Sequence, residues 1–463
     1  MKEMKGVMNM SLRKKGNLTE GIIWKQLLLF AIPLLIGNLF QQLYNTVDSV
    51  IVGNFAGNNA LAAVGTSGPL INMLVGFFIG LGSGATVLIA RYFGAQDHQK
   101  LHNAIHTFAC FTLVIGTFIT IMGVVLSPTI LSWMKTPADV LDGATTYLRI
   151  YFLGTLAMLI YNSGSAILRA LGNSKMPLYF LMVSSVVNII LDYVFVALLH
   201  WDVAGVAWAT LIANVVSSVL VVYVLLFKTS VCPLEFTKIR IDKAILKDMM
   251  KIGIPTGLQT FIVSISNTMV MSHVNSFGAS AISGFTSANK FDNFLGLPLQ
   301  SFSIAITTFV GQNLGAQKPE RIKQGILWSV GLSFICILVL GTPAYILAEN
   351  CIRIFIDDAD VIAIGAQMMR CCIPFYVFLI FHQVLSGAVR GAGYTTIPMI
   401  SAIFSFTFLR QIFLNTLMPV VQDVSLVFWS YALTWGVSGI IMLCYTLFGP
   451  WKKCLKTASN TDH

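Results

Sequence analysis

Long apolar runs alternate with short polar connections along the whole chain. A helix needs about 20 mostly apolar residues to cross the hydrocarbon core of a bilayer. Runs of that length lie near residues 26–49, 67–91, 102–126, 141–168, 177–199, 204–227, 249–273, 288–312, 324–347, 361–388, 395–418 and 425–449. The pattern predicts an all-α polytopic membrane protein with twelve transmembrane helices.

One polar, basic stretch separates the sixth apolar run from the seventh. It divides the predicted spans into two groups of six. The predicted organisation is a cytoplasmic tail at 1–25, a first lobe at 26–227, a cytoplasmic linker at 228–248, a second lobe at 249–449 and a cytoplasmic tail at 450–463. An even number of spans places both tails on the same side of the membrane.

Lysine and arginine residues indicate which side that is, because cytoplasmic loops carry an excess of them. With the tails and the even-numbered connections assigned to the cytoplasm, most of the 29 Lys and Arg residues lie on that side. The exceptions are Lys135, Arg149, Lys290, Arg353, Arg370 and Arg410. We therefore predict a multi-pass protein of the cell membrane with both termini in the cytoplasm, and we expect Arg410 near the outer interface.

Composition agrees with this class of protein. Charged residues make up 10% of the chain, against about 25% in soluble proteins, so the apolar surface must face lipid. The net charge of +10 comes from loop clusters without any nucleic-acid-binding signature, so no nucleic-acid partner is expected. The eight cysteines form no C-x-x-C pair, which indicates neither a zinc site nor a disulfide framework.

The chain matches itself when it is shifted by 221 or 222 residues. The matching pairs include Pro33 with Pro255, Asn45 with Asn267, Gly94-Ala95-Gln96 with Gly315-Ala316-Gln317, Ala138-Asp139-Val140 with Ala359-Asp360-Val361, and Arg169 with Arg390. Both halves contain six predicted spans and therefore have the same orientation. Parallel repeats of this kind are related by an axis along the membrane normal. We expect two six-helix lobes around a central cavity.

Two acidic residues, Asp48 and Asp192, fall well inside the predicted spans. Charged groups in hydrocarbon are costly, which makes them candidates for function. Gln41, Tyr44 and Asn45 precede Asp48 at three- and four-residue steps and share its helix face. A polar face of this kind does not face lipid, so these three residues are expected to line the substrate cavity.

Asp192 shares a face of the fifth span with Asn188, four residues earlier, and Thr210 follows in the sixth span. Together with Asp48 they offer two carboxylates, an amide oxygen and a hydroxyl, which is a set of ligands suited to Na⁺. The same two carboxylates are suited to hold a proton, because like charges away from water repel each other. The alternative is that each aspartate caps or hydrogen-bonds a neighbouring helix. No cofactor besides a coupling ion is expected.

The second half does not repeat these acids. The register places Val270 opposite Asp48, Leu409 opposite Asn188, Phe413 opposite Asp192 and Tyr431 opposite Thr210. Ion coupling is therefore expected in the first lobe. Gln259 and Asn267 are candidates for the cavity lining in the second lobe, and the alternative for both is a role in helix packing.

With these motifs in view, the chain resembles the multidrug and toxic compound extrusion (MATE) family over nearly its whole length. The resemblance rests on the six-plus-six layout and on the segments Pro33 to Asp48, Ser49-Val50-Ile51-Val52-Gly53, Arg169-Ala170-Leu171-Gly172, Asn188 to Asp192, Arg390-Gly391-Ala392-Gly393 and the paired Gly-Ala-Gln turns. It implies an exporter that alternates between outward-open and inward-open states, with H⁺ or Na⁺ entering as drug leaves. In the branch with a first-lobe cation site, the cation residues correspond to Asp48, Asn188, Asp192 and Thr210.

The resemblance also implies small amphipathic, often cationic, organic substrates, and we expect a monomer in the lipid bilayer. Three alternatives remain. A flippase for lipid-linked oligosaccharides predicts a basic cluster inside the spans, which the sequence lacks. A membrane enzyme needs a catalytic or metal cluster, for which His98, His102 and His106 come closest. A channel differs in that its flux does not depend on an ion gradient.

Overall fold

A computed structural model describes residues 17–134, 136–229 and 231–459, and these ranges contain no β-strand. The helices of the first half are α1 (Ile23–Ile51), α2 (Gly57–Gly94), α3 (His98–Trp133), α4 (Ala138–Ala170), α5 (Lys175–Asp192) and α6 (Asp202–Phe227). Most of the predicted tail at 1–25, as well as residues 460–463 of the second tail, lies outside the described residues.

The second half repeats this order with more interruptions. Its helices are α7 (Lys243–Asn275), α8 (Ala279–Gly315), α9 (Pro319–Ile346), α10 (Ala348–Arg353), α11 (Ala359–Cys372), α12 (Tyr376–Gly391), α13 (Thr396–Ile403), α14 (Arg410–Val421), α15 (Ser425–Phe448) and α16 (Lys452–Ser459). A 3₁₀ turn at Ile373–Phe375 joins α11 to α12 within the predicted tenth span.

Eleven helices of the described chain are long and apolar enough to cross a membrane. Each coincides with one of the predicted spans. The remaining predicted span, at 249–273, lies within helix α7, but α7 is less apolar than the eleven helices that could cross a membrane. Its interior carries Gln259, Asn267 and several hydroxyl residues, which lower its hydropathy. The protein is an all-α polytopic membrane protein, as the sequence predicts.

Lipid-facing surface is visible on α3. Val114, Phe118, Ile121 and Val125 recur at three- and four-residue steps and are all exposed. An exposed apolar stripe of this kind is unfavourable in water, but it costs nothing where the solvent is lipid. The opposite face of α3 packs against α4, which also contacts α2 and α6. Helix α4 is thus the central helix of the first half.

Three π-helical segments interrupt the regular helices, at Val52–Ala56, Tyr193–Leu198 and Phe404–Leu409. The first follows α1 and the second follows α5. Phe55 and Tyr193 from these two segments meet edge to face, with their ring centroids 6.2 Å apart. Such segments are found frequently at functional sites, because the wider turn changes the direction of nearby side chains. Here the two segments lie immediately after the helices that carry Asp48 and Asp192.

The described chain separates into two compact units. The first comprises 33–251, and the second comprises 252–459 together with Leu18–Ile32. The predicted first lobe begins at residue 26, so residues 26–32 belong to a different unit from the one predicted.

Hydrogen bonds within the second unit explain this difference. Arg321 donates to the backbone oxygens of Gly21 and Leu18, and Asn313 donates to the oxygen of Leu18. Lys318 donates to the oxygen of Thr19. These long polar side chains come from the end of α8 and the start of α9, and they fix the segment that leads into α1.

Candidate functional site

The two intramembrane acids lie at corresponding positions near the ends of α1 and α5. Asp192 is the last residue of α5 and is completely buried. Asp48 is half-buried and lies three residues before the end of α1. The two side chains are close enough for their carboxyl groups to interact electrostatically.

Three of the four carboxylate oxygens of this pair have no hydrogen-bond donor in the described chain. Both carboxylate oxygens of Asp192 and Oδ1 of Asp48 are buried without a hydrogen-bond partner among the described residues. A buried polar atom without a partner costs free energy, and a buried charge without compensation costs far more. None of these three oxygens caps a neighbouring helix in the described chain.

Asn188 lies one helical turn before Asp192 and is also buried. Neither of its amide atoms has a hydrogen-bond partner in the part of the chain that the structure describes. Thr210 is buried on α6, three residues after Ala207, which belongs to the hydrophobic core of the first unit. Both residues thus turn inward, on the two helices where the sequence predicts them.

Two tyrosines lie near the acids, and a third lies beside one of them. Tyr44 lies one turn before Asp48 on α1 and is close enough to both acids to interact with them electrostatically. Tyr147 of α4 has the same relation to both acids, and Tyr151 lies beside it with the ring centroids 6.2 Å apart. The sequence analysis found Tyr44 but missed the pair on α4. The signal available was their four-residue spacing within a predicted span.

The other residues predicted for the cavity lie in different surroundings. Gln41 and Asn45 are exposed, unlike the partly buried Tyr44 on the same helix. Gln259 of α7 is half-buried. Asn267 is exposed as a residue, but its side-chain oxygen accepts a hydrogen bond from Arg410. Asn267 is thus part of a polar contact between helices.

Arg410, which the sequence analysis expects near the outer interface, lies inside the second unit. It is buried at the start of α14, with only 2% of its surface exposed. Its Nη1 donates to Oδ1 of Asn267 at 3.0 Å, and its Nη2 donates to Oγ1 of Thr434 at 3.2 Å. The guanidinium carbon lies 4.3 Å from the ring centroid of Tyr431. These contacts stabilise the charge inside the second unit, and its position near the outer interface stays a prediction.

A half-buried acid of the second unit, Asp292, lies near this arginine. The Tyr376 hydroxyl donates to its carboxylate and also lies 3.1 Å from its backbone oxygen. Asp292 and Arg410 interact electrostatically. At the position opposite Asp48, Val270 is completely buried, as expected for an apolar replacement. The second unit thus has an acid with compensating partners, whereas the acids of the first unit have none among the described residues.

The three histidines of α3 do not form a metal site. The rings of His102 and His106 stack with their centroids 3.9 Å apart, and Nδ1 of His106 lies 2.8 Å from the backbone oxygen of His102. Nε2 of His106 accepts a hydrogen bond from the backbone of Glu235 at 3.0 Å. No group of three or more His, Cys, Asp or Glu side chains that could hold a metal ion occurs in the described residues.

The same contacts attach the predicted linker to α3. Thr107 accepts a hydrogen bond from the backbone of Asp242 at 3.0 Å, next to the contact between His106 and Glu235. Lys238 donates to the carboxylate of Glu235 and so lowers the pKa of that group below its usual value. The histidine cluster thus has a structural role at this end of the helix.

One cavity of about 520 Å³ lies in the second unit, away from these groups. It is lined by Glu349, Ala363, Ala366, Gln367, Arg370, Cys371, Pro374, Phe375, Ser425, Phe428 and Trp429. None of the residues predicted for a cation or substrate site belongs to this lining.

Comparison with known proteins identifies the family. The family model MatE matches residues 33–194 and again residues 255–417, so both halves of the repeat are recognised separately. The chain belongs to the MatE family. The two matches begin at Pro33 and Pro255, the pair with which the internal repeat begins.

Similar MatE-family proteins cover most of this chain. A protein of Bacillus subtilis (strain 168) named probable multidrug resistance protein YoeA is 30% identical over 83% of this chain and 84% of its own length. The probable multidrug resistance protein NorM of Thermotoga maritima is 26% identical, with 83% of each chain covered. A protein of Shewanella oneidensis named FAD transporter is 23% identical over 76% of this chain and 78% of its own.

Solved structures confirm the MatE-family fold. A MATE crystal structure in the straight conformation matches with a TM-score of 0.88 at 24% identity, covering 96% of this chain and 99% of the other. A MATE crystal structure in the bent conformation matches with a TM-score of 0.88 at 25% identity, covering 96% and 98%. A transporter of the MOP superfamily from Pyrococcus furiosus reaches 0.88 at 24% identity, covering 96% and 99%.

Proposed function

We propose that this MatE-family protein is an antiporter that exports small amphipathic organic molecules while H⁺ or Na⁺ moves inward. The observation that carries the proposal is the pair of Asp48 and Asp192, of whose four carboxylate oxygens three are buried without a hydrogen-bond donor in the described chain. A site of this kind is stable only when a positive charge enters it. When that charge leaves, the stability of the conformation that binds it changes relative to the stability of the conformation without it.

Coupling follows from this electrostatic requirement. The coupling ion reaches the carboxylates of the first lobe from the outer side and leaves them toward the cytoplasm. Asn188 and Thr210 add neutral oxygens, which stabilise a bound ion without adding charge. Alternating access then requires only that the occupied and empty sites favour different arrangements of the helices.

Several features support export of amphipathic molecules. Two relatives with 26–30% identity are named probable multidrug resistance proteins, and they share more than four-fifths of their length with this chain. A more distant relative is named FAD transporter, which supports transport of an organic molecule more generally. A flippase for lipid-linked pyrophosphates remains the alternative. It requires a basic cluster, whereas the interior of the second unit, as far as the structure describes it, offers Arg410, whose two terminal nitrogens are already bonded.

In this proposal the protein lies in the cell membrane with both termini in the cytoplasm. The excess of Lys and Arg in the tails and in the even-numbered connections supports this orientation. Export then runs from the cytoplasm outward, against inward movement of the coupling ion.

Dye efflux from energised vesicles tests the proposal. The native chain is compared with Asp48→Asn and Asp192→Asn while the proton gradient and the sodium gradient are collapsed in turn. We expect one of the two gradients to be required by the native chain. Both variants should insert normally and lose gradient-driven efflux, because an amide does not supply the negative charge that attracts the ion.

Asp142→Asn serves as the matched control, because Asp142 is exposed on α4 and outside the acid pair. It should retain native efflux. Full activity of both Asp48→Asn and Asp192→Asn would reject the assigned site. Native efflux that survives the loss of both gradients would reject antiport.

A further inference from the structure

The cavity of about 520 Å³ in the second unit lies between two helices and shares no residue with the acid pair. Its lining residues on α11 recur at three- and four-residue steps along one helix face, and those on α15 are Ser425, Phe428 and Trp429. The Cys372 thiol lies 3.8 Å from the backbone oxygen of Phe428 and connects the two walls. A volume of this size falls within the range of about 300–1,000 Å³ that ligand sites occupy.

The lining of this cavity includes one pair of opposite charges. Nη2 of Arg370 on α11 donates to Oε1 of Glu349 on α10 at 3.1 Å. About half of each side chain is exposed, 45% for Arg370 and 54% for Glu349. This hydrogen bond uses one of the five N–H groups of the guanidinium and one oxygen of the carboxylate. Exposed ion pairs contribute little to folding stability, so both charges are available to a ligand.

The remainder of the lining is mostly apolar. Phe375 and Trp429 meet edge to face with their ring centroids 6.0 Å apart, and Pro374 and Phe428 extend the same wall. Trp429 is 51% exposed. Tryptophan is enriched at the level where lipid headgroups meet hydrocarbon. The cavity therefore combines a charged pair with an apolar wall, which is the combination that an amphipathic ligand requires.

Helix lengths place these groups at the level of the lipid headgroups. Arg370 and Arg390 are 20 residues apart on the continuous span Ala359–Gly391, a rise of about 30 Å. The hydrocarbon core of a bilayer is also about 30 Å thick. In the predicted orientation Arg390 lies at the cytoplasmic boundary, so Arg370 lies at the outer one. Trp429 precedes the last residue of α15, Phe448, by 19 residues and reaches nearly the same level.

We propose that this cavity binds one phospholipid of the phosphatidylethanolamine type from the outer leaflet. The phosphate accepts hydrogen bonds from the remaining N–H groups of Arg370, and the primary ammonium donates to the carboxylate of Glu349. A zwitterionic headgroup matches both charges of the pair, whereas an anionic headgroup is repelled by Glu349. A choline headgroup has no N–H to donate. The acyl chains follow the apolar wall of Phe375 and Trp429.

Native mass spectrometry of the purified full-length protein tests this proposal. The affinity for the first bound lipid is measured with phosphatidylethanolamine, phosphatidylcholine and phosphatidylglycerol in turn. We expect the native chain to bind phosphatidylethanolamine about 3- to 10-fold more tightly than the other two, as one charge-assisted hydrogen bond at a half-exposed position provides. Glu349→Gln should remove this preference, and Arg370→Gln should weaken phosphatidylethanolamine binding by a similar factor. Equal affinity of the native chain for the three lipids would overturn the proposal.

Arg353→Gln is the matched control for the charged pair. Arg353 lies 3.9 Å from Asp357, its side chain is 60% exposed, and neither residue belongs to the lining of this cavity. The control should keep the native lipid preference. Unfolding temperatures are measured for all variants without lipid. A lower unfolding temperature in Arg370→Gln and Glu349→Gln with unchanged lipid binding would mean that the pair only connects α10 to α11, and the proposal would be wrong.

Cys371 belongs to the lining and shows whether the lipid binds at this place. All cysteines except Cys371 are replaced in one chain, and all except Cys444 in a control chain, because Cys444 is exposed on α15 outside the lining. Both chains react with a small membrane-permeant maleimide in bilayers with and without phosphatidylethanolamine. The lipid should slow the reaction of Cys371 about 10-fold at ten times the lipid content of half-occupation, and leave Cys444 unchanged. Equal rates for Cys371 in both bilayers would overturn the proposal.

The same labelling separates a lipid from a transported molecule as the occupant. A cationic dye is added to the Cys371 chain in bilayers without phosphatidylethanolamine. We expect the dye to leave the reaction rate unchanged, because Arg370 repels a cation that carries no phosphate. Protection of Cys371 by the dye and not by phosphatidylethanolamine would assign the cavity to substrate and overturn the lipid site. These measurements involve no gradient, so their result does not depend on whether Asp48 and Asp192 couple transport.

Discussion

Asp192 is buried with both carboxylate oxygens lacking a donor in the described chain, while Asp48 presents one such oxygen. The effective penalty for an uncompensated buried ion is several kcal/mol even after the protein relaxes. That penalty is large compared with a typical net hydrogen bond of about 1 kcal/mol. The energetics of this pair therefore depend mainly on whether a positive charge is present, and only secondarily on the neutral residues around it.

Thr210→Val tests the contribution of the neutral oxygens. Valine has nearly the same shape as threonine but lacks the hydroxyl, so packing on α6 should be kept. Loss of one neutral ligand is expected to cost about 1–2 kcal/mol, which raises the ion concentration for half-maximal efflux about 5- to 30-fold. Thr434→Val in the second unit is not a suitable control, because Thr434 binds Arg410; Thr46→Val, on the exposed face of α1, is suitable.

An unchanged ion requirement in Thr210→Val would remove this residue from the proposed ligands. The assignment of Asp48 and Asp192 as the ion site would not be affected, because their charges do not depend on the hydroxyl of Thr210.

Single residues could be predicted from the sequence when their side chains are energetically costly to place in a membrane. Asp48 and Asp192 could be found because a carboxylate in an apolar run has few explanations. Tyr147 and Tyr151 could not, because an aromatic residue in a span is equally suited to helix packing. The burial of Arg410 could not be predicted, since a single arginine in the outer part of a span also fits an interfacial position, and its partners lie on α7 and α15.

At the scale of elements, helix ends are set by local chemistry that the sequence shows. Asp97 caps α3, and its side chain accepts a hydrogen bond from the backbone of Lys100 at 3.0 Å. That hydrogen bond lowers the pKa of Asp97. The charged carboxylate therefore stabilises the fold above the pKa of the unfolded chain, and this contribution is lost as the pH falls through the lower pKa of the folded chain.

Asp97→Ala should destabilise α3 by about 1 kcal/mol, the usual cost of a lost N-cap. Asp97→Asn keeps the acceptor oxygen and should retain most of the stability, but without the loss at acidic pH. Unfolding temperatures of the detergent-purified protein at neutral and acidic pH provide the measurement. Equal loss in both variants would show that the charge, and not the acceptor geometry, supports the cap.

Close helix contacts depend on single glycines. A Cβ at Gly439 of α15 would lie 2.5 Å from the backbone oxygen of Phe378 on α12, whereas a Cβ at Gly436 on the same helix would meet no atom within 4 Å. We expect Gly439→Ala to cost about 1–3 kcal/mol through overpacking. Gly436→Ala should be neutral or stabilising by up to about 1 kcal/mol, because alanine favours helix.

Unfolding temperatures of these two variants give the comparison within a single helix. Similar values for both would contradict the close approach of α12 and α15. This contact was not predictable from the sequence, because a glycine in a span looks the same whether its neighbour is a backbone or lipid.

For the whole molecule, most of the fold could be predicted from the hydropathy of the chain and the positions of its basic residues. Eleven of the predicted spans meet the length and apolarity of a membrane helix, and the twelfth is a helix with a more polar interior. The assignment of 26–32 could not be read from hydropathy. It depends on long-range hydrogen bonds such as that from Arg321 to Gly21, between residues 300 positions apart in sequence.

Orientation is tested by labelling with a membrane-impermeant thiol reagent in a chain whose eight native cysteines have been replaced. Lys238→Cys lies in the predicted cytoplasmic linker and Arg353→Cys in a predicted outer connection, and both native side chains are exposed. Arg353→Cys should react on intact cells, and Lys238→Cys only after permeabilisation. The reverse pattern would contradict the predicted orientation.

Ion binding to the purified protein shows whether the acid pair of the first lobe holds the coupling ion. Proton uptake and Na⁺ binding are measured for the native chain, for Asp48→Asn, for Asp192→Asn and for the exposed control Asp142→Asn. We expect the native chain and the control to bind the ion with equal stoichiometry, and Asp48→Asn and Asp192→Asn each to lose this binding. Undiminished binding in both Asp48→Asn and Asp192→Asn would mean that this pair does not hold the coupling ion.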